Sequence, residues 1–252
     1  MNKLKLATAL ALVLGSSAAS ADFLGVYTSG QRWNYDIDGS VRSLGSDIDV
    51  NNDLGLNDGD TNVYYVAFEH PIPFLPNVKM QQNDLDGTSF GTASQDFSFQ
   101  SGNYSSGDSI ATSYDFSHTD YTLYYEVLDN WVNLDLGFSA KDFDGFVDVR
   151  PNGQVTPTFN TRVDISGTVP MLYGRAQFDL PFTGLSAGGQ VQLGQFNDDK
   201  LTDASAYLAY EGETGFGLEV GYRIFDLEFD DFDQLSSDLT LDGFYAALTF
   251  HF

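Results

Sequence analysis

The chain has 252 residues and a formal net charge of −25, with 36 acidic and only 11 basic residues. This balance excludes a basic surface for nucleic acid, so no nucleic-acid partner is expected. The absence of cysteine excludes disulfide bonds and thiol chemistry, so packing and backbone hydrogen bonds must hold the fold together.

A short leader opens the chain. Residues 1–5 form a basic start, residues 6–14 are an apolar run, and Ala19–Ala21 supplies the small residues of a cleavage site. These three parts predict a secretory signal peptide over residues 1–21 and a mature domain over residues 22–252. A membrane anchor would need about 20 apolar residues, and this run is about half as long.

Ten segments of the mature chain have the period of two that is typical of β-strands. In chain order they span 23–38, 61–70, 77–88, 109–128, 131–148, 162–180, 185–197, 201–211, 215–231 and 239–252. The first and the third are the least regular. Eight or twelve strands therefore remain open as alternatives to ten.

The alternation separates an apolar face from a face rich in glycine and charge. In the last strand the apolar side chains are Phe244, Ala246, Leu248, Phe250 and Phe252. That strand has the length of about 9–11 residues that a tilted membrane strand requires. A soluble sandwich does not readily bring charge to the second face of nearly every strand, whereas a wet barrel lumen does.

The connections between strands fall into two kinds. The short ones carry turn residues and lie at 70–77, 128–131, 180–185 and 211–215. The others are mostly longer, polar and acidic, and lie at 46–60, 91–108, 150–161, 197–202 and 230–237. In a transmembrane barrel the first kind are periplasmic turns and the second are outer loops.

These patterns predict an all-β fold, a closed antiparallel up-and-down transmembrane β-barrel in the bacterial outer membrane. Closure follows from hydrogen bonding, because an open sheet edge in hydrocarbon leaves N–H and C=O groups unpaired at several kcal/mol each. The high aromatic content, 15% of residues, is explained if aromatic side chains form girdles at the membrane interfaces.

Four stretches of sequence carry a resemblance to a known family. They are FLGVYTSGQRW at 23–33, DLGLND at 53–58, AFEHPIPFLPNV at 67–78 and YAALTFHF at 245–252. With them the chain resembles a family of small Gram-negative outer-membrane β-barrel proteins of unassigned function. The resemblance implies the location and the barrel, and no catalytic residues. It also implies that Phe252 is the signal read by the barrel-assembly machinery, with periplasmic chaperones as further partners.

His118 and Asp120 are the candidates for catalysis. They lie two residues apart on the fourth strand, and omptin proteases, which are ten-stranded barrels, use Asp and His at the outer rim. A water-activating site needs an Asp pair opposite an Asp–His pair, and no omptin motif is found. We therefore expect no enzymatic activity, with an outer-rim hydrolase as the weaker alternative.

The first acidic loop has the spacing of a calcium-binding EF-hand loop. Its candidate ligands are Asp47, Asp49, Asn51, Asp53 and Asp58. However, Asn52 stands where that loop needs glycine, and Asp58 replaces the bidentate glutamate. A solvated acidic loop is the preferred interpretation. No cofactor is expected, although divalent cations can bind at the surface loops.

Charged side chains of both signs fall on the inward face of the predicted strands. They are Glu69, Glu126, Asp135, Lys141, Arg175, Glu219 and Arg223. In a barrel of about ten strands the lumen is narrow enough for side chains to fill it. We therefore expect a paired polar network that plugs the lumen, and keep a narrow porin-like channel for small solutes or ions as the alternative. Outer-membrane lipid and lipopolysaccharide are the expected surroundings, and the sequence does not indicate an oligomeric state.

Overall fold

The computed structural model describes residues 24–72, 74–153, 159, 161–196, 199–232 and 235–252. The predicted signal peptide, over residues 1–21, lies outside them. Among the described residues no helix is long and apolar enough to span a membrane. The fifteen β-strands are β1 (Gly25–Ser43), β2 (Ser46–Asp49), β3 (Asp58–Glu69), β4 (Asn77–Asn83), β5 (Asp86–Thr92), β6 (Phe97–Phe99), β7 (Gly102–Tyr104), β8 (Ser109–Asp115), β9 (His118–Leu128), β10 (Val132–Pro151), β11 (Arg162–Leu180), β12 (Leu185–Phe196), β13 (Asp199–Glu211), β14 (Phe216–Phe232) and β15 (Leu235–His251).

Ten of these strands form a closed antiparallel barrel. Around the wall the order is β1, β3, β4, β9, β10, β11, β12, β13, β14 and β15. The last strand pairs with the first over a long ladder, from Tyr27 opposite His251 to Ser43 opposite Leu235. The prediction of a ten-stranded up-and-down barrel is confirmed, and the alternatives of eight and twelve strands are wrong.

Four tight connections lie together at one end of the barrel, which we call the inner end. They join β3 to β4, β9 to β10, β11 to β12 and β13 to β14, and they are the four short turns that the sequence predicts. Gly215 shows why turn residues are needed there. Its φ is +79°, and a Cβ at this position would lie 2.1 Å from the carbonyl oxygen of His251.

At the opposite, outer end the strands continue further than the sequence pattern predicts. β1 reaches Ser43 and β15 begins at Leu235. The predicted loop at 46–60 contains β2, and the predicted loop at 91–108 contains β6 and β7. These outer segments are partly stranded, because apolar side chains such as Ile48, Phe97 and Phe99 are buried at alternate positions and fold the segments back onto the barrel.

The predicted third strand, 77–88, is also divided. It corresponds to β4 and β5, which are separated at residues 84–85, and β8 and β9 are separated opposite them at 116–117. The two interruptions face each other, and the backbone N–H of Phe116 donates to the carbonyl of Leu85 at 2.7 Å. Both side chains are buried, so the interruption places apolar groups into the outer interior.

The interior has two chemically different halves. The outer half is an apolar core, which differs from the uniformly polar lumen predicted from sequence. Its buried side chains include Trp33, Tyr35, Ile37, Val41, Phe143, Val147, Val149, Phe225, Leu227, Leu239 and Leu241. The inner half is lined by polar and charged groups. Several aromatic residues, Trp33 and Tyr35 among them, therefore serve as core packing and not as girdle residues.

The outside of the inner half is a belt of exposed apolar side chains. It includes Tyr64, Phe68, Val78, Tyr121, Leu123, Tyr125, Val127, Leu136, Phe138, Leu172, Phe178, Leu180, Leu185, Leu193, Leu208, Tyr210, Phe216, Leu218, Val220, Phe244 and Leu248. Phe138 is 70% exposed and Phe244 73%, which a water-soluble fold of this size would not tolerate around its whole circumference. Beyond the belt, toward the outer end, outward positions such as Asp142 and Asp164 are polar.

The wall has a notch at its outer end, where the β12–β13 hairpin is shorter than its neighbours. β11 pairs with β12 only from Leu180 up to Leu172, and the rest of β11, up to Arg162, pairs with β10 alone. On the other side of the hairpin, β14 pairs with β13 only as far as Glu228. Pro170 lies where β11 becomes an edge strand, the position in a sheet that tolerates a residue without an N–H.

Two glycines of the barrel wall provide a matched test of how closely neighbouring strands pack. We expect Gly137→Ala to destabilise the barrel by about 1–3 kcal/mol or more, because its Cβ would lie 2.1 Å from the backbone oxygen of Leu123. Gly174→Ala should be tolerated, since the nearest atom to its Cβ is a side-chain carbon at 3.7 Å. Urea unfolding of the refolded protein measures both. Equal stability of the two variants would contradict the close approach of the β9 and β10 backbones at Gly137.

Candidate functional site

The structure places all seven charged residues predicted for the lumen on inward-facing positions, but not in one place. Lys141 and Arg223 lie nearest the apolar outer core, whereas Asp135, which is paired with Arg175 on one side and with Glu126 on the other, lies closer to the inner end. Glu69, Glu126 and Glu219 lie toward the inner end. The seven residues are therefore not one site, and only the first two belong to a fully buried charge cluster.

Lys141 is the centre of this cluster. Its ammonium donates to both carboxylate oxygens of Asp120, at 2.8 and 2.9 Å. It also donates to Asp203 Oδ2 at 3.0 Å and to His118 Nε2 at 3.1 Å. The Lys141 side chain has no solvent exposure. All the donors of the ammonium are thus used within the protein.

Arg223 forms the second half of the cluster. Its guanidinium donates Nε to Asp203 Oδ1 at 2.8 Å and a terminal N–H to Oδ2 at 2.7 Å, which is the bidentate geometry favoured by arginine and carboxylate. A further N–H donates to Asn83 Oδ1 at 2.9 Å. The ring of Trp33 lies 4.6 Å from the guanidinium carbon and covers it from the apolar outer core.

The cluster is electrically balanced. Asp120 and Asp203 carry two negative charges, and Lys141 and Arg223 carry two positive ones. His118 completes the arrangement in its neutral form, because Nδ1–H donates to the backbone oxygen of Phe116 at 2.8 Å while Nε2 accepts from Lys141. Balance of this kind is what makes complete burial of four charges tolerable.

Below the cluster, aromatic hydroxyls and amides complete the filling. Arg175 contacts Asp135 at 3.3 Å, Gln177 at 2.6 Å and the hydroxyl of Tyr207 at 3.0 Å. Lys79 donates to Gln190 at 3.0 Å and lies 4.5 Å from the ring centre of Tyr65. The contact between Lys79 on β4 and Gln190 on β12 crosses the lumen.

The inner end is acidic. Tyr124 donates to Glu69 at 2.7 Å, and Tyr245 donates to Glu219 at 2.7 Å. Glu126 accepts from Asn77 at 3.2 Å and is exposed. Glutamates therefore line the inner mouth of the lumen, and the paired cations lie deeper.

His118, Asp120 and Asp203 form the one group among the described residues with the geometry of a metal site. Their ligand atoms lie within 4.8 Å of one another. The ammonium of Lys141 contacts all three side chains, so the protein supplies its own cation at this position. A metal ion could bind there only if the ammonium moved away.

The five candidate ligands of the first acidic loop are used in structural contacts. Asp47 pairs with Arg42 at 2.6 Å, and Asp49 accepts from the backbone N–H groups of Asn51 and Asn52. The amide of Asn51 donates to backbone oxygens of residues 37 and 56, and Asp58 lies on β3 opposite Asp36. These contacts turn the loop; they do not converge on one point.

Asp53 ties this loop to the next one. It accepts from the N–H of Ser94 at 3.1 Å, the amide of Gln95 at 2.9 Å and the N–H of Asp49 at 3.0 Å. Burial alone would raise the pKa of Asp53, but the hydrogen bonds from Ser94, Gln95 and Asp49 outweigh it and lower the pKa below the ordinary value. Asp53 is therefore a charged anchor between two outer loops.

His118 and Asp120 do not lie at the outer rim, where the hydrolase hypothesis would require them. Both are buried, and His118 packs between the rings of Phe143 and Phe225, with ring centres at 4.9 and 5.2 Å. Both ring nitrogens of His118 have protein partners. The arrangement suits structural support of the lumen better than proton transfer to a substrate.

Sequence reasoning missed Asp203, which bridges the two cations. The alternation along β13 could have revealed it, because Asp203 lies on the same face of the strand as Ser205 and Tyr207. Asn83 and Gln192 were also missed. Gln192 donates to Asp120 at 3.3 Å. Asn83 lies on β4, which is mostly polar, and Gln192 lies on the same face of β12 as Gln190 and Gly194.

Comparison with known proteins supports the fold. No family model and no curated protein matches the chain. Among solved structures, the outer membrane protease OmpT from Escherichia coli is 8% identical with a TM-score of 0.50, covering 94% of this chain and 99% of that one. The transport unit of the autotransporter AIDA-I from Escherichia coli is 11% identical with a TM-score of 0.42, covering 97% and 96%. A Pseudomonas aeruginosa FadL homologue is 9% identical with a TM-score of 0.36, covering 91% and 90%. At these identities the OmpT match shows a shared fold alone: the barrel of an outer-membrane protein.

Lys141→Met tests the charge cluster. The substitution leaves Asp120 and Asp203 buried with one cation between them, and we expect it to lower the free energy of unfolding by about 3–5 kcal/mol. The matched control is Lys200→Met, which removes an exposed pair with Glu228 and should change stability little. Urea unfolding in the same detergent measures both. A mild effect at Lys141, similar to that at Lys200, would show that the cluster does not stabilise the barrel.

Asp53→Asn tests the anchor between the outer loops. At about pH 7 we expect the free energy of unfolding to fall by about 1–3 kcal/mol. The amide nitrogen of asparagine would face N–H donors whose hydrogen bonds Asp53 now accepts. The folded-state pKa is lowered, so the stabilisation by the carboxylate is present above its unfolded pKa of about 3.9 and is lost as the pH falls through the folded value. Thermal unfolding from neutral to acid pH should therefore show the two proteins converging at low pH. A gap that stays constant would refute the role of the charge.

Proposed function

We propose that this protein is an integral protein of the bacterial outer membrane, that its barrel is closed to solutes and that it is not an enzyme. It functions through its outer surface, which contacts lipopolysaccharide, divalent cations or an external partner. The observation that carries the proposal is the buried cluster around Lys141, which fills the lumen together with the apolar core above it.

The membrane location is supported by the apolar belt. The belt surrounds the half of the barrel whose interior is polar, the reverse of a soluble protein and the arrangement of a lipid-embedded barrel. Phe252, 44% exposed beside β15, stays in the proposal as the residue read by the assembly machinery. Export through the predicted signal peptide belongs to the same proposal.

Closure of the lumen is supported at two successive levels. At the cluster, Lys141, Asp120, Asp203 and Arg223 are all at most 4% exposed, so water does not reach the charges from either end. Above them, the outer interior is packed with aromatic and aliphatic side chains. An ion would have to break several charge-assisted hydrogen bonds and then enter an apolar core, and both steps are costly.

The absence of catalysis is proposed from the state of His118 and Asp120. A general base must be able to reach a substrate proton, whereas these two side chains contact only protein groups in a closed interior. The acidic outer surface is therefore the part of the molecule to which we assign the function. With a net charge of −25, the outer strands and loops attract divalent cations, which also bridge the phosphates of lipopolysaccharide.

Planar-bilayer recording of purified, refolded protein tests closure. We expect no reproducible single-channel steps, while a general porin recorded in the same bilayers conducts. Folding is checked by the shift in gel mobility on boiling, and location by cell fractionation. Regular conductance steps from heat-shifting protein would overturn the closed barrel in favour of the channel. Recovery of the processed protein from the soluble periplasm would overturn the location.

A further inference from the structure

A cavity of about 280 Å³ lies inside the outer half of the barrel. Its walls are almost entirely apolar and come from seven strands and the link between β8 and β9. The side chains that define it are Phe116, Phe143, Val147, Ile165, Val169 and Leu239. Phe143 and Leu201 form the side nearest the charge cluster, so the cavity does not continue into the polar lumen.

The cavity opens sideways through the notch. On β11 it is lined by inward residues such as Val169 and also by outward residues such as Ser166 and Thr168. A space confined to the interior would touch inward positions only. Gly194, Asp199, Lys200 and Leu201 of the hairpin line the opposite side, where the pairing of β11 with β12 has ended.

The height of the opening limits what can reach it. On β11 the exposed apolar belt ends at Leu172, and the next outward side chains are Pro170 and Thr168. The notch therefore lies just beyond the outer edge of the belt. Acyl tails of membrane lipids are held at the level of the belt, whereas a small molecule in the interfacial region is level with the opening.

The charges at the rim select for an uncharged ligand. Lys200, a basic residue of the rim, pairs with Glu228 at 2.9 Å, and Asp199 lies beside it. The protein as a whole is strongly acidic. The net acidic charge disfavours an anion at the rim, and a cation would lose its hydration among the apolar side chains below the rim.

We propose that this cavity binds a small, uncharged hydrophobic molecule of about the size of naphthalene. The volume is nearly twice the roughly 150 Å³ of an engineered apolar cavity that binds benzene, and it approaches the lower limit of about 300 Å³ for natural ligand pockets. Three phenylalanines, Phe116, Phe143 and Phe229, line it and favour a flat or aromatic occupant. This site goes beyond the proposed function, because a barrel closed to solutes can still hold a ligand above the closure.

Binding of 1-fluoronaphthalene, followed by fluorine NMR on the refolded full-length protein in detergent, tests the site. We expect a saturable bound signal at one equivalent per barrel. Val169→Trp places a large ring in the cavity and should weaken binding at least tenfold, as should Ile165→Trp. The matched control is Leu172→Trp, which adds the same ring on the exposed outer face of β11 and should leave binding unchanged. The gel shift on boiling shows that each variant is folded.

The contrary outcomes are distinct. A signal that only grows with detergent concentration, or that is equal in wild type, Val169→Trp and Ile165→Trp, means partition into micelles and overturns the site. Binding of 1-naphthoate as tight as that of 1-fluoronaphthalene would overturn the selection for uncharged ligands. A lipid that co-purifies with wild type and is lost in Val169→Trp, detected by native mass spectrometry, would assign the cavity to an acyl chain instead. Conductance in bilayers would not alter any of these results, so the two proposals fail separately.

Discussion

The structure depends on the pairing of backbone hydrogen-bond groups around a closed wall. An unpaired N–H or C=O group in hydrocarbon costs several kcal/mol, and ten antiparallel strands remove this cost only if β15 returns to β1. Closure fixes the rest of the molecule: it sets the width of the lumen, sends alternate side chains to the outside and to the interior, and brings strands from distant parts of the chain face to face. The notch is permitted because it lies beyond the apolar belt, where water can satisfy the edge of β11.

A closed wall of this width encloses a space that side chains must fill. In the inner half the filling is polar, and its charges are tolerable because each finds a partner: Lys141 and Arg223 share Asp203, and Asp120 completes the balance. In the outer half the filling is apolar, with Trp33 at the boundary between the two. In the inner half the wall is therefore apolar on the outside and charged on the inside. In the outer half it is polar on the outside and apolar on the inside.

The sequence was informative where one face of a strand is exposed and apolar and the other face carries charge. Alternation over 216–224 and 244–252 identified the outward face, and Lys141 and Asp120 could have been paired from their opposed positions on β10 and β9. The contact of Lys141 with Asp203 could not, because it crosses the lumen and depends on the barrel's width and register. The outer apolar core was missed since its segments, such as 91–108, are acidic or polar between their buried residues. The cavity depends on where β12 ends, which no local pattern reveals.

The four charges of the cluster come from β9, β10, β13 and β14, two hairpins that are separated along the chain. Until those hairpins face each other, Asp203 and Arg223 can pair within one and Asp120 and Lys141 within the other, but neither pair can be fully shielded from water. Dehydration of the interior and the meeting of the two halves of the barrel are therefore a single event, which gives folding a late, cooperative step governed by contacts of long sequence separation. A half-assembled barrel would retain hydrated charges in its cleft, and these charges would disfavour its insertion into a bilayer before the barrel closes.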